Sequence, residues 1–410
     1  MTYSLDKDKI KILLLENVSQ KAIEVFHRQG YYNIEQITGA LPEDQLIEKL
    51  QSTRILGIRS RTQLSDHILK NASNLIAIGC FCIGTNQVDL TSAESLGIPV
   101  FNAPFSNTRS VAELVIGQMI LLMRGIPEKN AQLHRGQWQK KADNNFEVRG
   151  KTLGIIGYGH IGSQVSVLAE SLGLKVIFYD IVNKLPLGNA QAAHSLDDLL
   201  KQADIVSLHV PETELTKNMI AKDQLQLMKE KSILINASRG HVVNLDHFHQ
   251  LLEKGKFLGA AFDVFPIEPK TNNDRFESPL CQYDRVILTP HIGGSTIEAQ
   301  ENIGIEVAEK LAQYSDNGST ISATNFPEVQ LPPHKNACRL LHIHLNQPGM
   351  MRQINRVCSE ANINITGQYL QTNNHIGYVV MDIQTDKNTA QNLLAELKSI
   401  DGTIRARILY

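Results

Sequence analysis

An apolar run from Leu153 to Ile156 breaks into Gly157-Tyr158-Gly159-His160-Ile161-Gly162, and nothing else in this 410-residue chain restricts its fold as much. The pattern reads as a buried strand, a tight glycine turn and a helix over Ser163–Ser171. A second strand, Lys175–Tyr179, then ends on Asp180. Strand, Gly-x-Gly-x-x-Gly, helix, strand and acid in that order make a dinucleotide-binding βαβ unit. Gly157 permits the turn, Gly159 lets a pyrophosphate reach the backbone, and Gly162 lets helix and strand pack closely. The helix N-terminus offers unpaired N–H groups to the phosphates. Asp180, about 20 residues on, can accept both adenosine ribose hydroxyls. It would repel a 2′-phosphate, so the expected cofactor is NAD rather than NADP.

The length suggests two or three domains. A net charge of −2 argues against nucleic acid or a membrane surface as the main partner. The first residues carry no apolar signal core and no run approaches a membrane span. Five cysteines, an odd number without C-x-x-C, read as reduced thiols, and a cytoplasmic protein is expected. Cys80-Phe81-Cys82 could suggest a metal pair, but alternate positions on a buried strand explain it better, and no metal is expected.

Residues 1–106 alternate short apolar strands (Ile10–Leu15, Arg54–Ile58, Leu75–Ile78, Pro99–Phe101) with helical patterns such as Gln20–Arg28 and Glu43–Gln51. This alternation gives a parallel sheet covered by helices. Ligands of such sheets bind beyond the carboxyl ends of strands, so Arg59-Ser60-Arg61 reads as an anion site or else as a solvated basic loop. From Thr108 an apolar periodicity runs to about Leu133 as one helix. Trp138, the only tryptophan, reads as a packing or interface residue. Beyond Asp180, strands are expected at Asp204–His209, from Ser232, at Leu258–Val264 and at Arg285–Leu288. Ser295, with Glu298 three residues on, looks like the cap of a helix running to about Tyr314. A turn-rich linker ending at Pro332-Pro333 precedes a βαββαβ pattern, the ferredoxin-like plan.

Arg239, Glu268 and His291 sit just past strand ends. Oxidation of a hydroxy acid needs a cation for the carboxylate, which arginine supplies as a bidentate fork. It also needs a base for the hydroxyl proton, which histidine can be, and a carboxylate to orient and stabilise the imidazole.

The motifs GYGHIG, NASRG, DVFPIEP and LTPHIGGS resemble those of the D-isomer-specific 2-hydroxyacid dehydrogenases, over residues 1 to about 330. The resemblance, in a short form with an added ACT domain, implies three parts. A flavodoxin-like α/β substrate domain (1–106 and 295–331) would hold an inserted Rossmann NAD domain (107–294), with an ACT domain (337–410) after it. It implies catalytic roles for Arg239, Glu268 and His291. Its cofactor contacts are Gly157, Gly159, His160, Ile161, Gly162, Asp180, Ala237, Ser238, Arg239, Asp263, His291, Ile292, Gly293 and Gly294, with Asp263 facing the nicotinamide carboxamide. The activity implied is oxidation of 3-phospho-D-glycerate to 3-phosphooxypyruvate at the head of L-serine synthesis, with reduction of 2-oxoglutarate as a second activity. Arg59, Ser60, Arg61, Asn107 and Lys140 are the candidates for the substrate.

In the last 70 or so residues, His344, Asn346 and Asn364 match positions that in the family hold L-serine between two ACT domains of a homotetramer. The alternative is a dimerisation module without a ligand. Two other functions stay open: a dehydrogenase of another D-2-hydroxy acid, and a non-catalytic NAD(H)-sensing protein on the same fold.

Overall fold

The computed structural model describes residues 6–269, 273–332 and 338–409. Residues 1–5, Pro333 of the linker, residue 337 and Tyr410 of the last expected strand lie outside them. The chain divides into two compact units, one running Asn107–Ala299 and the other comprising the residues before and after it.

In the unit formed by the two chain ends, strands β1 (Ile12–Leu14), β2 (Ile34–Gln36), β3 (Ile55–Ile58), β4 (Ala77–Cys80) and β5 (Val100–Phe101) form a parallel sheet of order β2-β1-β3-β4-β5. That is the flavodoxin-like 2-1-3-4-5 order. β1, β3 and β4 are buried at every position, as apolar runs covered on both faces must be. One face packs on Phe26, Tyr31, Val307 and Leu311, the other on Leu46, Leu50, Ile68 and Leu69. β2 has no counterpart among the expected strands: Ile-Glu-Gln is a short, partly exposed edge strand without an apolar alternation.

The inserted unit carries β6 (Thr152–Ile156), β7 (Lys175–Tyr179), β8 (Gln191–Ala192), β9 (Ile205–Leu208), β10 (Ser232–Asn236), β11 (Phe257–Phe262) and β12 (Val286–Leu288), in the order β12-β11-β10-β9-β6-β7-β8. All pairs are parallel. Renumbered from β6 this is 3-2-1-4-5-6 with one more strand, the Rossmann order, whose direction reverses between β6 and β9. The single helix expected over 108–133 is two, Thr108–Met123 and Ile126–His134, bent by 69°. Gly125 takes a left-handed φ of +59° between them and Pro127 opens the second, so the break is local chemistry that apolar periodicity hides. The helix expected from Ser295 runs Ile297–Asn317, and Thr296 is its cap, its Oγ1 accepting from Ala299 N at 3.1 Å. Among the described residues no single helix is long and apolar enough to cross a membrane.

The C-terminal βαββαβ is an antiparallel sheet of β13 (Cys338–Leu345), β14 (Ile365–Thr372), β15 (Ile376–Ile383) and β16 (Thr403–Leu409), in the order β14-β15-β13-β16. Helices Met350–Glu360 and Lys387–Ser399 cover one face. Phe326, Val329 and Leu331 cover the other, packed on Leu341, Ile343, Tyr378 and Val380. Arg339, the largest fully buried side chain, forks onto Asp382 (Nε–Oδ1 2.6 Å, Nη2–Oδ2 2.8 Å), while its Nη1 donates to the carbonyls of Asn317 and Pro332. Tyr378 Oη donates to Gly318 O at 2.7 Å.

Candidate active site

Because every strand of the inserted unit runs the same way, the loops after β6, β7, β10, β11 and β12 emerge at one edge of the sheet, beyond the carboxyl ends. The glycine turn shows what it leaves room for. Gly157 has a φ of +91°, and a Cβ on it would lie 2.4 Å from His209 O; one on Gly162 would lie 2.2 Å from Gly157 O. A Cβ on Gly159 would meet nothing within 4 Å. Two glycines are therefore demanded by the protein's own packing. The third faces open space where the helix His160–Ser171 begins, and a pyrophosphate fits there. His160 and Ile161 form the first turn of that helix. The Asp180 carboxylate accepts from Tyr158 N (2.8 Å) and Val182 N (3.0 Å), so it fastens the glycine turn to the end of β7. Tyr158, which no sequence signal marks, stacks on Phe178 at 3.9 Å and is buried.

After β10, Asn236 shapes the loop that carries Ala237, Ser238 and Arg239. Its Oδ1 accepts from Ser238 N (3.1 Å) and Oγ (2.8 Å), and its Nδ2 donates to Arg239 O (3.0 Å). Asparagine ahead of small residues is turn chemistry that could have signalled this role. A Cβ on Gly240 would lie 2.0 Å from the Phe265 carbonyl carbon, so this loop lies directly against the one bearing Glu268.

Asp263, 2 % exposed, accepts from Thr289 Oγ1 (2.5 Å), Ile292 N (2.9 Å) and Gly293 N (2.8 Å). The described hydrogen bonds of its carboxylate thus go to the loop around His291, a positioning task that the resemblance alone did not suggest. The clamp is needed because His291 has a φ of +53°, a left-handed conformation that costs a non-glycine residue energy. Gly294 closes the loop against Asn107, whose Nδ2 would be 2.2 Å from a Cβ there.

His291 Nδ1 lies 2.9 Å from Glu268 Oε2, and Glu268 Oε1 accepts from Phe265 N at 3.1 Å. The hydrogen bond to Glu268 raises the His291 pKa against the opposing effect of burial. Burial raises that of Glu268, but its hydrogen bonds from His291 and Phe265 N outweigh this and leave it lowered. Arg239 lies near enough for its charge to act on both. With Nδ1–H given to Glu268, the free lone pair of a neutral His291 is on Nε2. Arg239, Glu268 and His291 are therefore brought together. Lys140 lies in an exposed segment and makes no hydrogen bond or ion pair among the described residues, and Trp138 is 79 % exposed rather than packed.

In the other unit, Arg59, Ser60 and Arg61 come directly after β3. In the ACT sheet His344 is buried, with Nδ1 2.8 Å from Leu345 O and Nε2 without a partner. Asn346 Nδ2 donates to Asn373 O. His344 pairs with Gly377 at one end of β15, whereas Asn364 precedes β14, whose first residue pairs with Ile383 at the other end. Six residues of strand separate the two ends, roughly 20 Å. One chain does not bring the three together.

Residues 116–293 match the family model for the D-isomer specific 2-hydroxyacid dehydrogenase NAD-binding domain, and 340–405 that for the AHAS small subunit-like ACT domain. The chain is 60 % identical over 407 residues to D-3-phosphoglycerate dehydrogenase of Escherichia coli strain K12, covering 99 % of each. The chain belongs to the D-3-phosphoglycerate dehydrogenase branch of the D-isomer-specific 2-hydroxyacid dehydrogenases. A member of this branch from Dictyostelium discoideum is 47 % identical over 409 residues, covering 100 % of this chain and 99 % of the relative. Among solved structures of the wider family, D-2-hydroxyisocaproate dehydrogenase superposes with a TM-score of 0.70 at 25 % identity, covering 77 % of this chain and all of its own. A D-lactate dehydrogenase from Aquifex aeolicus complexed with NAD and lactic acid gives 0.63 at 28 %, covering 74 % and 95 %. As a member of this family the chain is an NAD-dependent oxidoreductase.

Proposed function

We propose that the chain oxidises 3-phospho-D-glycerate to 3-phosphooxypyruvate in the cytoplasm, as the first step of L-serine synthesis. The name shared by its full-length relatives supports the substrate. The observation that carries the chemistry is the 2.9 Å contact of His291 Nδ1 with Glu268, which leaves Nε2 free as base. NAD, when bound, supplies the hydride acceptor. Arg239 holds the substrate carboxylate in a bidentate grip. His291 Nε2 takes the proton from the 2-hydroxyl, and Glu268 stabilises the imidazolium that results. Arg59, Ser60, Arg61, Asn107 and Lys140 are assigned to the substrate, the cations to its phosphate. Reduction of 2-oxoglutarate would use the same base as an acid. Following NADH absorbance with 3-phosphooxypyruvate tests the reading: binding of NADH without turnover would make the chain a nucleotide sensor instead.

The coupled pair sets the sign of the pH response. Oxidation needs neutral His291, so its rate climbs as pH rises through the His291 pKa. Glu268 is the main cause of that raised pKa. Glu268→Gln should therefore move the acidic limb of kcat for oxidation to lower pH, besides lowering the maximum. A limb that stays in place would separate it from His291.

The placement of His344 and Asn346 at one end of the ACT sheet and Asn364 at the other supports a serine site completed by a second chain, within a homotetramer. Bound serine would fix two ACT domains together, and couplings of this kind are usually worth about 1–3 kcal/mol, giving partial inhibition. A serine titration should inhibit the wild type, while His344→Ala and Asn364→Ala should lose sensitivity and keep kcat. A wild type indifferent to millimolar serine would leave the domain a role in assembly alone.

A further inference from the structure

We infer that Glu16 is a positioning residue for the substrate-anion loop, fixing the backbone from which Arg59 and Arg61 project; this rests on the assignment of those arginines to the phosphate. Glu16 lies two residues beyond β1, is 7 % exposed, and takes a left-handed φ of +63°. Its Oε1 accepts from Arg59 N (3.2 Å) and Thr62 N (2.8 Å), and its Oε2 accepts from Arg61 N (2.9 Å). Converging main-chain N–H groups make a concavity suited to an anion. Here the protein's own carboxylate fills it.

A phosphate approaching this loop therefore cannot use those three N–H groups and is left the side chains and the Ser60 N–H. The guanidinium groups of Arg59 and Arg61 make no hydrogen bond or ion pair among the described residues, so both are at liberty to take it. The loop that carries them is also held from its other side. The buried Gln87 donates from Nε2 to Arg59 O (2.8 Å) and Gly84 O (3.3 Å), and Phe81 N donates to Ile58 O (2.7 Å). The ends of β1, β3 and β4 are thus laced into one platform, and Glu16 supplies the only carboxylate in that lacing among the described residues. A buried carboxylate without a cation is costly unless its oxygens are satisfied, and the three amide donors satisfy them.

The test uses the full-length enzyme with Glu16→Gln, which keeps the shape and one oxygen but turns an NH₂ toward an amide donor. Glu16→Ala is the second variant, and Arg59→Ala and Arg61→Ala are made alongside. Loss of a charge-assisted hydrogen bond is worth about a tenfold change, so KM for 3-phosphooxypyruvate should rise about tenfold in Glu16→Gln and further in Glu16→Ala. The kcat should stay within about twofold. NADH affinity should be unchanged, and hydrogen exchange at the 59–62 amides should quicken. A rise of KM in the arginine variants but not in either Glu16 variant would overturn the positioning role. So would a Glu16→Gln enzyme with lowered melting temperature and kcat but unaltered KM, since that is a structural role only. If neither arginine variant raises KM, the phosphate assignment itself fails, and the inference falls with it.

Discussion

His291→Asn should bind NADH almost as the wild type does and lose about 10²–10⁴-fold in kcat, the usual worth of a general base. Asparagine suits the site otherwise, since it is among the residues that tolerate a left-handed φ and His291 sits at +53°. The loop should therefore stay on its Asp263 clamp, and the loss should fall on the chemical step. Stopped-flow NADH binding beside steady-state turnover separates the two. A variant retaining more than about a tenth of wild-type kcat would place the base elsewhere.

The second large effect concerns stability. Asp382→Ala should destabilise the C-terminal part of the chain by about 3–5 kcal/mol, because it leaves a guanidinium in the interior without its counter-charge. The Arg339 side chain is 0 % exposed and the Asp382 side chain 14 %. Removing both charges together, as Arg339→Met with Asp382→Leu, should recover much of the loss, since a buried pair is often no better than an apolar one of similar volume. Denaturant melts of the single and double variants measure this. A single variant within about 1 kcal/mol of wild type would mean that water reaches the guanidinium.

Much of this fold is legible in the sequence because its signals are local and periodic. Buried parallel strands declare themselves as apolar runs, and the glycine turn fixes the helix and the strand that come after it. The readings that failed turned on single residues: Gly125 breaking one helix into two, Thr296 rather than Ser295 capping another, and β2 lacking any alternation. At the candidate site, Arg239, Glu268 and His291 are legible as candidates because a cation, a carboxylate and a histidine are what oxidation of a hydroxy acid calls for. The residues that hold the loops bearing these side chains, and the separate loop bearing Arg59 and Arg61, are not. Asp263 and Glu16 act by accepting main-chain N–H groups from loops distant in sequence, and Asn236 by knitting its own turn. Such partners have no spacing rule, because only the folded path brings donor and acceptor together.

On the face of the ACT sheet away from its helices, the central strands β13 and β15 are sealed from solvent. Leu341, Ile343, Tyr378 and Val380 are roofed by Phe326, Val329 and Leu331, and Thr320 spans the same stretch, its Oγ1 donating to Pro327 O and accepting from Val329 N. A chain stopped near Pro327 would lose part of that roof and strip the remainder of its partner, leaving oily surface where a sealed seam had been. Insolubility would then masquerade as loss of catalysis. The ACT domain is therefore poor material for grafting or excision.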